Sequence, residues 1–183
     1  MTRFLSVLLS FPLFLATAGV VHAQEAFLLR LVDRLDRPED GYCLEILGTG
    51  RDLRLEVPLF AHNCKPALTT DGAVIHDPDS GYLRFAALDL CVTAAGVNAT
   101  ILPGAALILR PCDHNAPYFD SGPLQRFDHQ EDGRMTLRDS GLCLAVGEAS
   151  SATYSPRDRW RTLFLADCEG APPARSRWEF ATP

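Results

Sequence analysis

Six cysteines, Cys43, Cys64, Cys91, Cys112, Cys143 and Cys168, are the residues of this chain whose type and number point most clearly to chemistry. Six thiols could hold zinc, but zinc sites draw on close pairs such as C-x-x-C, and there are none. An even count in a chain that looks exported points instead to disulfides. The histidines offer no competing metal motif: His62, His76, His114 and His129 show neither H-x-x-x-H nor H-E-x-x-H spacing. His76–Asp77 and Asp128–His129 are chain neighbours, and neighbours on a strand point to opposite faces. Neither a Gly-x-Ser-x-Gly elbow nor a phosphate loop occurs. The expectation is a chain that is not an enzyme and that needs neither metal nor cofactor.

Export is read from the first residues. Met1–Ala23 has a lone Arg3, an apolar run from Phe4 to Val21, and a Val21-His22-Ala23 exit of the kind signal peptidase cuts. An uncleaved membrane anchor is the alternative for a run of this length. Cleavage leaves residues 24–183, of a length that suits one domain, with no second apolar stretch of spanning length. The removed residues 1–23 carry one base and no acid, so 16 basic and 23 acidic residues remain, a net charge of −7. A surplus of acid disfavours nucleic acid and anionic membrane, since both ask for a basic face. Secretion or periplasmic residence follows from the export signal, which serves both.

The cysteines are also evenly laid out. Their spacing is 21, 21 and 25 residues within successive pairs, and the first members lie 48 and 52 residues apart. Flanking residues repeat with them: Tyr42-Cys43-Leu44-Glu45-Ile46, Leu90-Cys91-Val92-Thr93-Ala94 and Leu142-Cys143-Leu144-Ala145-Val146 open the units. Apolar runs end on the second cysteines, as in Leu59-Phe60-Ala61-His62-Asn63-Cys64 and Leu163-Phe164-Leu165-Ala166-Asp167-Cys168. Gly81 and Gly133 stand ten residues before Cys91 and Cys143. Apolar runs of four to seven, separated by turn clusters such as Asp77-Pro78-Asp79-Ser80-Gly81, are strands rather than helices. The chain therefore reads as all-β, in three similar units. Pairing the cysteines within each unit is the economical choice, and each bridge closing such a loop is worth about 3 kcal/mol.

These motifs resemble the ricin B-type lectin family, over roughly residues 27–180. A closing Gln-x-aromatic element adds to the likeness as Gln125-Arg126-Phe127 and, with Ser for Gln, as Ser176-Arg177-Trp178. Counting back from Gly81 by the same offset gives Ala73-Val74-Ile75 in the first unit. The resemblance implies a β-trefoil, with Ile75, Phe127 and Trp178 as threefold-related core plugs.

It also implies where a sugar would sit. A carboxylate two residues after the first cysteine accepts hydrogen bonds from vicinal hydroxyls, and an aromatic two residues before the second stacks on the ring. The first repeat offers Glu45 and His62 there, with Phe60 where a polar group is common. The second has Thr93 and Arg110 but keeps Gln125. The third has Ala145 and Ala166, which can neither hydrogen-bond nor stack. A non-standard site in the second repeat would use Asp113, Asn115 and Tyr118, from the long loop Asp113–Asp120. The loop 150–156 of the third repeat is a lesser case. Two functions remain open: a carbohydrate-binding module whose partner is a glycan or glycoconjugate, or a non-enzymatic β-trefoil scaffold for protein interaction or inhibition.

Overall fold

The computed structural model describes residues 25–183; the expected signal peptide, residues 1–23, lies outside the described residues. The first repeat runs through β1 (Phe27–Leu31), β2 (Tyr42–Glu45), β3 (Phe60–Asn63) and β4 (Ala73–His76). The second holds β5 (Leu83–Phe85), β6 (Leu90–Ala94), β7 (Leu107–Pro111) and β8 (Phe127–His129). In the third are β9 (Met135–Leu137), β10 (Leu142–Val146), a two-residue β11 (Ser151–Ala152), β12 (Arg159–Asp167) and β13 (Trp178–Ala181). Single helical turns, α1 (Ser121–Gln125) and α2 (Pro173–Ser176), precede β8 and β13. The protein is an all-β trefoil with three disulfides, Cys43–Cys64, Cys91–Cys112 and Cys143–Cys168, one inside each repeat.

The first and last strands of each repeat close into a ring. Ladders join β13 to β1, β1 to β4, β4 to β5 and β8 to β9. Bridges Tyr82–Arg126 and Arg134–Arg177 complete the circuit. Closure leaves these short strands no edge within the ring to protect. Inside lies a layer of three cross-strand pairs, Leu31 with Trp178, Phe85 with Val74 and Leu137 with Phe127, all buried. Bulk is shared within pairs, so that the smallest residue, Val74, faces a phenylalanine. The Trp178 indole Nε1 donates to the Leu144 carbonyl at 2.9 Å, so this large ring is buried without an orphaned N–H.

One expectation is corrected here: Val74, not Ile75, is the threefold counterpart of Phe127 and Trp178. The turn from β4 to β5 is one residue longer than that from β8 to β9, as the pairs His76–Leu83 and His129–Met135 show. A shift of one residue sends a strand side chain to the opposite face. Ile75 consequently pairs with Arg84 on the outside and is only half-buried.

A second layer closes the far end of the ring with a device that the pattern did not announce. His76, His129 and Phe180 occupy equivalent places, opposite Leu83, Met135 and Leu29. His76 stacks on Phe180 with ring centroids 5.4 Å apart, and His129 meets the same ring edge-on at 5.3 Å. Each imidazole Nε2 lies 2.8–2.9 Å from a core carbonyl of the next repeat, Phe127 O for His76 and Trp178 O for His129.

Hairpins β2–β3, β6–β7 and β10–β12 cap the other end. Strand alternation sends Leu44 and Ala61, Val92 and Leu109, and Leu144 and Leu165 into the core as opposed pairs. Their neighbours Cys43, Glu45, Phe60 and His62 face outward together. The hairpins interlock: β12 pairs with β3, Leu59 N donates to Leu107 O at 2.7 Å, and Ala106 bridges Phe164.

The first and third repeats are further tied by Arg161, on the inner side of β12. Its guanidinium donates to Asp36 Oδ1 at 2.6 Å and to the Gly147 and Glu148 carbonyls, and it stacks over the Tyr42 ring at 4.9 Å. Burial opposes the Asp36 charge, but hydrogen bonds from Arg161, Tyr42 and Ser150 outweigh it and hold the carboxyl well below the usual range. A depressed native pKa contributes stability above the unfolded value of about 4, lost as pH falls through the native one. Asp36→Asn should therefore cost about 1–2 kcal/mol at pH 7, a modest figure because Asp36 is partly exposed. Denaturant titrations at pH 7 and at about pH 3 check this, and the gap from wild type should narrow at the lower pH.

Candidate functional site

The outward face of the first hairpin carries the densest polar chemistry described here. Glu45 sits opposite Phe60, and His62 opposite Cys43, so the four share one face of β2 and β3. Glu45 is only 2% exposed. Its Oε2 lies 3.1 Å from Lys65 Nζ and 3.4 Å from His62 Nδ1, while Oε1 has no hydrogen-bond partner. Lys65 Nζ also bonds the buried Asp71 carboxylate. Two buried carboxylates thus hold one ammonium between them. Burial works against the Lys65 charge, but hydrogen bonds to Asp71 and Glu45 carry its pKa above the ordinary lysine value.

Local structure explains why these groups meet. Lys65 directly follows Cys64, so the first disulfide fixes the start of the segment that brings it over β2. Asp71 is held by its backbone carbonyl, which accepts from Ile46 N at 2.8 Å. Together the cluster lines a cleft of about 640 Å³, along with Asp52, Arg54, Tyr154 and Asp158.

Beyond Phe60 the chemistry changes. A second cleft, of about 760 Å³, is lined by Leu47, Val57, Phe60, Trp160, Leu163 and Phe164 among others. Leu47, Phe60 and Thr153 line both clefts. The Phe60 ring meets His62 edge-on at 5.8 Å on one side and Trp160 at 6.3 Å on the other. Trp160 and Thr162 stand opposite His62 and Phe60 across the β3–β12 ladder, which places them on the same outward face.

The remaining sequence candidates do not join this cluster. Gln125 is buried and spends its amide internally: Nε2 donates to Thr93 Oγ1 and Pro111 O, each at 3.0 Å, and Oε1 accepts from Asp113 N at 3.0 Å. Asn115 Oδ1 accepts from the Ser121 N–H and hydroxyl at 2.7 and 2.8 Å, pinning the start of α1. Asp113 accepts from the Tyr82 hydroxyl and lies 3.5 Å from Arg126. Tyr118 is 81% exposed and projects from the loop alone. Asp113, Asn115 and Tyr118 line neither of the two clefts. In the third repeat, Ala145 and Ala166 line a smaller cleft of about 380 Å³.

Sequence reasoning passed over Lys65, Asp71 and Trp160. Lys65 and Asp71 carry no motif. Trp160 had one available signal, because the alternation of Leu163 and Leu165 continues back through Arg161 and extends the strand to include it. Among the described residues no group of three or more His, Cys, Asp or Glu side chains is placed to hold a metal, and no helix is long and apolar enough to cross a membrane.

Replacing Lys65 by Met should destabilise the protein by about 2–3 kcal/mol, because Glu45 and Asp71 would keep their burial and lose their counter-charge. In the wild type, a raised Lys65 pKa means that its contribution is present below about pH 10 and is lost as pH rises through the native value. Denaturant titrations of both proteins at pH 7 and pH 11 should show the difference between them shrinking at the alkaline end.

No protein-family model matches the sequence, and no curated protein matches it. Solved structures do. The mdaA-1 domain, known from a solution structure, superposes with a TM-score of 0.60 at 19% identity, covering 88% of this chain and 92% of that one. The cytolethal distending toxin of Haemophilus ducreyi gives 0.54 at 19%, over 91% and 90%. The C-half of an earthworm R-type lectin, crystallised with GalNAc, gives 0.54 at 13%, over 86% and 98%. At such identities the likeness is one of fold. Ring, caps and these structural likenesses together give this chain the β-trefoil fold.

Proposed function

We propose that the protein is an exported, non-enzymatic carbohydrate-binding module whose working site is the first repeat. The observation that carries this reading is the buried Glu45 carboxylate in the lining of a cleft, with one oxygen satisfied by Lys65 and the other unpartnered. A buried acceptor left unmade costs about 1–3 kcal/mol. A sugar hydroxyl is a donor of the right kind. Lys65 donates to hydroxyl or ring oxygens from the same wall, and the Phe60 and His62 rings give a surface for C–H faces of the sugar. The GalNAc complex of the earthworm lectin supports a search that starts with galactose-type sugars. Three disulfides suit an oxidising compartment, hence secretion or the periplasm.

A glycan array probed with the oxidised, exported protein tests this. Binding should occur and fall about tenfold or more in Glu45→Gln, consistent with loss of a charge-assisted hydrogen bond. Tyr118→Ala should leave it unchanged. Binding that is lost in Tyr118→Ala but kept in Glu45→Gln would move the site to the Asp113–Asp120 loop. A blank array from folded protein would reject the module and favour the β-trefoil as a scaffold for a protein partner.

A further inference from the structure

The two clefts that meet at Phe60 differ in what they can solvate. The first has Glu45, His62, Lys65 and Asp71 in its lining. The second, larger cleft is walled by Val57, Pro58, Leu59, Trp160, Leu163 and Phe164, and the polar side-chain groups among its lining are the hydroxyls of Thr153 and Thr162 and the indole N–H of Trp160. Water in such a groove finds few hydrogen-bond partners, and an apolar occupant releases it favourably. A free sugar, with hydroxyls around its ring, is matched better by the polar groups of the first cleft than by the second. The two clefts are adjacent, sharing Leu47, Phe60 and Thr153 as lining, so one ligand with a polar end joined to an apolar end reaches across Phe60 into both.

We infer that the first-repeat site takes a sugar carrying an alkyl aglycone, as in a glycolipid, with the sugar at Glu45 and the chain laid past Phe60 onto Trp160. This inference rests on the carbohydrate reading of Glu45 and adds the class of ligand. A chain is favoured over a substituted ring because this cleft offers little to pair with polar substituents, while aliphatic and aromatic walls suit methylenes, each worth about 0.8 kcal/mol when buried. The geometry also makes the site a product of two repeats. Glu45, Phe60 and His62 come from the first, and Trp160 and Phe164 from the third, aligned by the β3–β12 ladder.

The chain has two tryptophans, and Trp178 is fully buried in the ring, so a change in environment at the cleft reports through Trp160. The test is titration of the oxidised protein with n-octyl β-D-galactopyranoside and n-octyl β-D-glucopyranoside below their micelle concentrations. Methyl glycosides of both sugars and n-octanol are run beside them, followed by calorimetry and tryptophan emission. An octyl glycoside should bind about tenfold or more tighter than its methyl counterpart and shift Trp160 emission to the blue. Val57→Asp, on the wall of the apolar cleft alone, should abolish that advantage while sparing the methyl glycoside; Glu45→Gln should weaken both. Octyl and methyl glycosides binding alike would overturn the aglycone site and leave the sugar site standing. Octanol binding as tightly as the octyl glycosides would show an apolar cavity uncoupled from Glu45 and overturn the inference too. No binding by any glycoside would overturn both readings.

Discussion

Closing a ring of six strands, each only three to five residues long, is the constraint to which the rest of this molecule answers. Strands so short cannot hold a sheet with free edges. At two of the three seams where the first and last strands of one repeat meet, closure falls to single hydrogen bonds beside a glycine: Phe127 N donates to Gly81 O at 2.7 Å, and Trp178 N to Gly133 O at 2.6 Å. Both glycines have φ between +80° and +90°, a left-handed conformation that a side chain resists. A Cβ on Gly81 would also press into the Arg138 guanidinium at 2.8 Å. At the third seam the equivalent place belongs to Phe27, which pairs with Val74 in an ordinary ladder and needs no glycine. Since the core residues hang directly from these bonds, ring closure and core packing are one event.

Such a ring dictates the inward face of every strand and leaves the outward face of each hairpin free to diverge. Its three repeats have used that freedom differently at the position two residues after the first cysteine. Thr93 is locked to Gln125, whose amide makes three internal hydrogen bonds, so that face is satisfied within itself. Ala145 offers only a methyl group. Glu45 is the exception, a buried carboxylate with Lys65 as counter-ion and a second carboxylate, Asp71, competing for it. A hydrophobic replacement of such a cluster is often as stable as the ions themselves, so stability alone is a weak reason for it. A ligand that supplies donors gives it another.

Much of this architecture could be read from the chain because it repeats. Three cysteine pairs at matched spacing carry the strand order and the disulfides with them, since one local geometry recurs three times. Positions were lost where the repeat is broken by a single residue. The longer turn after β4 moved the first core plug from Ile75 to Val74, and no periodicity within four residues could reveal that slip. His76 and His129 stood out in the sequence only as chain neighbours of Asp77 and Asp128, yet they close the ring with Phe180, because their equivalence emerges only once the register is known. Glu45 and His62 were legible through family likeness. Their partners Lys65 and Asp71 were not, since that meeting depends on how the segment after Cys64 folds back over β2.

The third disulfide loop is four residues longer than the other two, an irregularity that has a structural outcome. The length goes into β11 and into a nine-residue β12, which overruns its partner β10 and continues along β3. That overrun places Arg161 inward, where it binds Asp36 and lies over Tyr42, and Trp160 outward beside Phe60. Alternation along one strand therefore does two things at once: the inner residue clamps the third repeat to the first, and the outer one extends the first repeat's surface. The alanines at 145 and 166 strip the third hairpin of polar chemistry on its own face, but its extended strand furnishes an aromatic wall to its neighbour. Divergence between repeats has in this way concentrated charge, rings and cleft volume on one side of a threefold frame, where a symmetric trefoil would have spread them over three.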